Sequence, residues 1–190
     1  QSVDDLLKKM KSSSQTGKGV VGEEAVFKIC EEFYQKQGGI LIHSYEYETD
    51  DTLAGNIKRN DNNLYVEKLS PSTEIDVLYV SKYRVFPIEV KAYRAKEIRL
   101  DDRGIYGCYK TDKSPIHQNE MHCRHLYSHI FRALPDGKTD YIVPLVCLMD
   151  RADIIDERSD WQKVYIKQCI LDNLHEFISR YNTPLDYAIN

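Results

Sequence analysis

Residues 74–93, EIDVLYVSKYRVFPIEVKAY, hold two runs of β-branched and aromatic residues separated by a polar break at 81–84. This pattern predicts a β-hairpin. With Lys82 and Tyr83 at the tip, or with 81–84 as a four-residue loop, Val80 pairs with Val85 and Asp76 falls opposite Glu89. Side chains alternate along a strand, so Lys91 joins the two acids on one face while Val77, Ile88 and Val90 point to the other. Facing like charges destabilise a sheet, and the register therefore asks for a cation, either the lysine or a bound divalent metal. Pro87 within the second run predicts an edge strand or a bulge.

Upstream, Val3, Leu6, Leu7 and Met10 recur at helical spacing, which predicts a short amphipathic helical extension over 1–16 ahead of one domain over 17–190. A polar, glycine-bearing connector over 12–19 leads into a helix over 20–37, striped by Val26, Phe27, Cys30, Phe33 and Tyr34 and closed by Gly38-Gly39. Glu23 falls on that stripe at i relative to 26, 27 and 30. It is either an inward carboxylate that needs a partner or an acid favouring the helix N-terminus. Residues 40–48 read as a strand, 49–63 as a mobile polar insertion, and 64–69 as a short strand returning to the hairpin.

Beyond the hairpin, 91–113 carries seven basic residues against four acids, with Tyr93, Tyr106 and Tyr109 interleaved. Arg94, Lys96, Arg99, Arg103 and Lys110 could follow a phosphate backbone, or the stretch is a solvated polar connection. Ser114-Pro115 opens a helix running to about residue 134, with Gln118 in its first turn. His122, His125 and His129 on this helix could hold zinc or, His122 among them, lie along a nucleic-acid track; without paired cysteines the zinc reading is the weaker. Residues 141–149 predict a buried strand despite Pro144, and 163–167 a last short strand. Ile170, Leu174, Phe177 and Ile178 form the inner stripe of a closing helix, with Trp161 packing near its start.

The 190 residues, 42% hydrophobic, suit one domain with a sizeable core. Five widely spaced cysteines without a Cys-x-x-Cys pair read as reduced cytosolic thiols. With no apolar stretch long enough to span a bilayer and no apolar core of a signal peptide at the start, a cytoplasmic protein without membrane contact is expected. A net charge of −4 argues against a general coat for nucleic acid and leaves room for a local basic track.

Asp76 followed by Glu89-Val90-Lys91 on a hairpin resembles the signature of the PD-(D/E)xK nuclease superfamily. Gly22-Glu23, Glu74-Ile75-Asp76, Ile88-Glu89-Val90-Lys91 and Pro115-Ile116-His117-Gln118, in this order, resemble the nuclease-related domain family, NERD. The resemblance covers roughly 17–178, and departs from the pattern in the 49–63 insertion and in Ala95, where a glycine is usual. It implies a restriction-endonuclease-like α/β core, a mixed central sheet flanked by helices. It implies a metal-dependent nuclease using Mg²⁺ or Mn²⁺ on nucleic acid, DNA favoured. Asp76, Glu89 and the Val90 carbonyl would hold the metal. Lys91 would act on the attacking water or on the transition state, Glu23 would bind metal or orient water, and Gln118 would support the site. A catalytically silent nucleic-acid-binding or interaction domain on the same fold, and a purely structural ion cluster, are the competing readings.

Overall fold

The computed structural model describes residues 15–48, 56–60, 63–67, 72–93, 95–101, 104–106, 115–130, 141–149 and 151–184. After a long helix, α1 (Gln15–Gln37), come β1 (Ile40–Glu48), β2 (Asn56–Asn60), β3 (Asn63–Glu67), β4 (Ser72–Val80) and β5 (Val85–Lys91). There follow β6 (Glu97–Asp101), β7 (Gly104–Tyr106), α2 (Pro115–His125) with a π-helical turn at Leu126–Ile130, and β8 (Leu145–Leu148). The chain continues through β9 (Asp153–Asp156), α3 (Asp160–Tyr165), β10 (Lys167–Ile170), a 3₁₀ turn at Leu171–Asn173 and α4 (Leu174–Tyr181).

The central sheet has the order β1-β4-β5-β8-β10, antiparallel from β1 to β5 and parallel from β5 to β10. Alternation along the strands divides the core between its two faces. Val77, Tyr79, Ile88 and Val90 share one apolar cluster with Ala25, Val26, Ile29, Cys30 and Phe33 of α1 and with Leu174 and Ile178 of α4. Leu78 and Val85 meet Cys123 and Leu126 of the α2 region on the other face. This is the mixed α/β core expected, a five-stranded sheet flanked by helices. Among the described residues no helix is long and apolar enough to cross a membrane.

Several elements differ from the expectation. α1 starts at Gln15, taking in residues 15–19 of the stretch read as a connector, while residues 1–14, and with them most of the expected helical extension, lie outside the described residues. The insertion at 49–63 contains β2, which pairs with β3 as a separate hairpin. The segment read as a polar connection forms β6 and β7, and with β9 makes a second sheet of order β7-β6-β9. Helix α3 occupies most of the expected strand at 163–167, and β10 begins only at Lys167. Tyr34 and Trp161 are exposed, at 41% and 63%, and do not pack in the core.

Pro87 lies in a central strand, not at an edge. Ser81 N–H donates to the Arg84 carbonyl at 2.8 Å, so hydrogen-bonded pairs of the β4–β5 hairpin recur at alternate residues, and Pro87 faces Leu78 at a position that needs no N–H toward β4. Toward β8 the ladder is interrupted between the Val85–Ile142 bridge and the Ile88–Leu145 pair. Asn119, fully buried, spans this gap: its Nδ2 donates to the carbonyls of Pro87 at 3.3 Å and Leu145 at 3.0 Å.

The glycine stop of α1 is where the expectation is met most closely. Gly38 N–H donates to the Tyr34 carbonyl at 2.7 Å, and Gly38 and Gly39 have φ of 73° and 108°. A Cβ on Gly38 would meet open space, whereas one on Gly39 would collide with the Val80 carbonyl oxygen. Chemical denaturation should therefore show Gly38→Ala costing about 1 kcal/mol, the ordinary left-handed penalty. Gly39→Ala should cost about 3 kcal/mol or more, because backbone must move as well.

Candidate active site

The β4–β5 ladder ends at the Val77–Ile88 pair. Asp76 and Glu89 come next, so the expected register is met up to the point where the strands part. Asp76 Oδ2 accepts the Val90 N–H at 2.7 Å, taking the place of a strand carbonyl. Across β4 the β1 ladder also skips a position, between His43–Val77 and Tyr45–Ile75, and Ser44 there has a φ of 56°. Asp76 thus sits in a stretch of strand loosened on both sides. Left-handed backbone at a non-glycine residue costs on the order of 1–2 kcal/mol and is characteristic of functional sites.

Glu89 is 2% exposed and both its oxygens are engaged. Lys91 Nζ lies 2.7 Å from Oε1, and His122 Nε2 lies 3.3 Å from Oε2. Burial opposes its charge, but the His122 hydrogen bond and the Lys91 ammonium outweigh burial and hold the carboxyl below its usual range. Asp76, 8% exposed, is pushed up to about 8, by burial first and by the facing Glu89 second, with the Val90 N–H relieving only part. Burial works against the Lys91 charge as well, yet Glu89, Asp76 and Glu23 outweigh it and the ammonium is held above its ordinary range. Two facing carboxylates with one lysine, paired to Glu89, do not both ionise comfortably.

A cavity of about 460 Å³ opens on this group, lined by Glu23, Glu74, Asp76, Glu89, Lys91 and Gln118 among others. Gly22 lets α1 approach: a Cβ there would lie 2.9 Å from Met149 Cγ and 3.3 Å from Val90 Cγ1. Glu23, the next residue, is half-buried with its Oε2 3.3 Å from His43 Nε2. Burial raises its carboxyl, the His43 contact opposes this, and Glu74 and Glu89 add to the rise. Gln118, from the first turn of α2, has a buried Oε1 with no hydrogen-bond partner. An unpaired buried acceptor costs about 1–3 kcal/mol, a cost a ligand at this place would relieve.

The oxygens that could hold a hard divalent cation are those of Asp76 and Glu89, the Val90 carbonyl and Gln118 Oε1. In an extended strand a residue's N–H and C=O point to the same side, and the Val90 N–H points to Asp76. Such an all-oxygen set with few protein ligands suits Mg²⁺ or Mn²⁺, which keep several waters. Among the described residues no three His, Cys, Asp or Glu side chains already stand grouped as a metal cage.

The other residues picked out from sequence distribute differently. His122 is fully buried between Glu89 and Tyr47, whose hydroxyl is 2.8 Å from His122 Nδ1, so it is not part of an exposed nucleic-acid track. Nor do the three histidines converge on zinc, since His125 stacks on Tyr47 at 3.7 Å between ring centroids. Lys96, just before β6, and Arg99, on β6, are exposed and do not line the cavity; Arg99 pairs with Glu97 at 2.9 Å and Glu157 at 3.2 Å. Arg94, Arg103 and Lys110 lie outside the described residues. Sequence reasoning missed His43, Tyr47 and Asn119. Only Asn119 had a local signal, a polar residue beside Gln118 for which Pro87 leaves a ladder gap.

No curated protein and no solved structure matches the chain. The family model described as "NERD: Nuclease-related domain" matches residues 18–149, more than half of the sequence and all of the cavity-lining residues named above. With most of α1, the β4–β5 hairpin and α2 inside that match, the chain belongs to the nuclease-related domain family.

Proposed function

We propose that this domain is a Mg²⁺- or Mn²⁺-dependent nuclease that hydrolyses phosphodiester bonds of nucleic acid, with DNA the favoured substrate. The observation that carries the reading is the facing pair Asp76 and Glu89, beside Lys91 on one open cavity, with Asp76 pushed up to about 8 by burial and by the facing Glu89. Asp76, Glu89 and the Val90 carbonyl would hold the metal. Once bound, it would supply relief of the charge developing on phosphate and a water of lowered pKa. Lys91, held above its ordinary range, stays an ammonium and works as a donor: it orients the attacking water and neutralises charge on the phosphoryl oxygens. Glu23, which lines the same cavity, would bind metal or orient water, and Gln118 Oε1 would accept a hydrogen bond from water there.

A second reading, a silent binding or interaction domain built round an ion cluster, is favoured by one observation: both Glu89 oxygens are already engaged by Lys91 and His122. The two readings part in a cleavage assay. Labelled single- and double-stranded DNA and RNA should be cut with Mg²⁺ or Mn²⁺ and left intact with EDTA; no cleavage of any of them returns the choice to the ion cluster. Lys91→Ala should lower kcat by about 10²–10³-fold while changing Mn²⁺ affinity little, and Glu89→Gln should lose both.

Metal must displace the proton that Asp76 holds, so affinity should depend on pH. Below about 8, each unit of rising pH should strengthen Mn²⁺ binding by up to about tenfold, with a plateau above. Calorimetric titrations between pH 6 and 9 check this, and a flat profile contradicts it. Without metal the sign is opposite. A carboxyl raised from 3.8 to about 8 stabilises the fold at low pH and loses that contribution as pH rises toward 8. Asp76→Asn should consequently raise metal-free stability at pH 8 by about 1–2 kcal/mol, roughly 3–6 °C in Tm, and abolish the metal-induced shift.

A further inference from the structure

We propose that Tyr47 and His122 are positioning residues for Glu89, a buried two-step hydrogen-bond relay that sets how tightly the site holds a divalent cation. The inference rests on the metal-dependent reading above and deepens it. His122 has no exposed surface, and its ring lies between two partners, Tyr47 Oη 2.8 Å from Nδ1 and Glu89 Oε2 3.3 Å from Nε2. An ionised carboxylate only accepts, so the nitrogen facing Glu89 carries the proton. In a neutral imidazole Nδ1 must then accept, and Tyr47 donates to it. Burial first, and the nearby charge of Glu89 among other groups, push the Tyr47 phenol upward, which keeps it a donor.

Tyr47 is itself held. Its ring stacks on His125 at 3.7 Å and 17°, and the His125 Nε2 is 3.4 Å from the Tyr45 hydroxyl. Gln118 and His122 are four residues apart on α2, on one face of the helix. The helix therefore presents one side chain to the cavity and, a turn later, one to the far oxygen of the carboxylate that lines it. Lys91 holds Oε1 and His122 holds Oε2, so the Glu89 carboxylate has little freedom to rotate. Partners of this kind behind a metal ligand typically alter metal affinity or activity 10–100-fold when removed.

The test is calorimetric titration of the full chain with Mn²⁺ alone, beside melts of each metal-free variant. Tyr47→Phe keeps the ring on His125 and removes only the donor. His122→Leu removes both nitrogens, and His122→Gln restores an N–H near the Nε2 position. Tyr47→Phe and His122→Leu are expected to bind Mn²⁺ about 10–100-fold more weakly, and His122→Gln to recover to within about threefold of wild type. If His122→Leu does not fold, Tyr47→Phe carries the comparison alone. Wild-type affinity in Tyr47→Phe overturns the inference, as does a folded His122→Gln that binds no better than a folded His122→Leu, since the ring would then serve only packing. A wild-type protein that takes up no Mn²⁺ overturns the metal-dependent reading and this inference with it, and the wild-type titration alone distinguishes that outcome.

Discussion

Asp76 and Glu89 face each other where β4 and β5 part, and the surrounding structure manages the charge of that pair. Glu89 is fully provided for, with Lys91 on one oxygen and His122 on the other. Asp76 has the Val90 N–H and otherwise meets burial and a like charge, which is why it is pushed up to about 8. The asymmetry is chemically useful. A site with every charge satisfied would have no reason to take up a cation, and one with none satisfied would not fold. Here one carboxylate is held by two side chains and the other by a single backbone N–H.

The fold holds this pair by keeping the hairpin central. β5 is flanked by β4 and β8 and covered by α1 on one face and the α2 region on the other, so its end cannot drift. The sheet nonetheless contains two breaks close to the acids, at Ser44 opposite Asp76 and at Pro87 two residues before Glu89. Asn119 repairs the second with two side-chain hydrogen bonds. Gly22 makes room for α1 against Val90 and Met149, bringing Glu23 to the same cavity.

Much of this was legible in the chain because it depends on short-range rules. A period of two and a polar break set the hairpin register from Val80–Val85 inward, and the same parity put Lys91 beside Glu89 and away from Val90. Gly38-Gly39 marked the end of α1, and Pro115 the start of α2. What escaped depends on partners far away in sequence. His122 looks like a surface histidine in a polar helix, and only its contacts with Tyr47 and Glu89, 75 and 33 residues distant, make it an inward residue. β6, β7 and β9 are short, β6 and β9 are charged, and β6 becomes a strand through pairing with residues 56 positions later. Pro87 pointed to an edge because the rule concerns a missing donor, and the Asn119 amide that bridges the gap comes from 32 residues further along the chain.

On the proposed function Asp76 is held protonated near neutrality, by burial first and by Glu89 second, and a divalent cation would replace the proton. The most direct measurement is a carbon-13 NMR titration of the Asp76 carboxyl, assigned with Asp76→Asn, in metal-free protein and again with Mg²⁺. A midpoint near 8 that falls well into the acid range with Mg²⁺ is the expected result. A midpoint near the ordinary 3.8 of an aspartate, unmoved by Mg²⁺, would contradict the account.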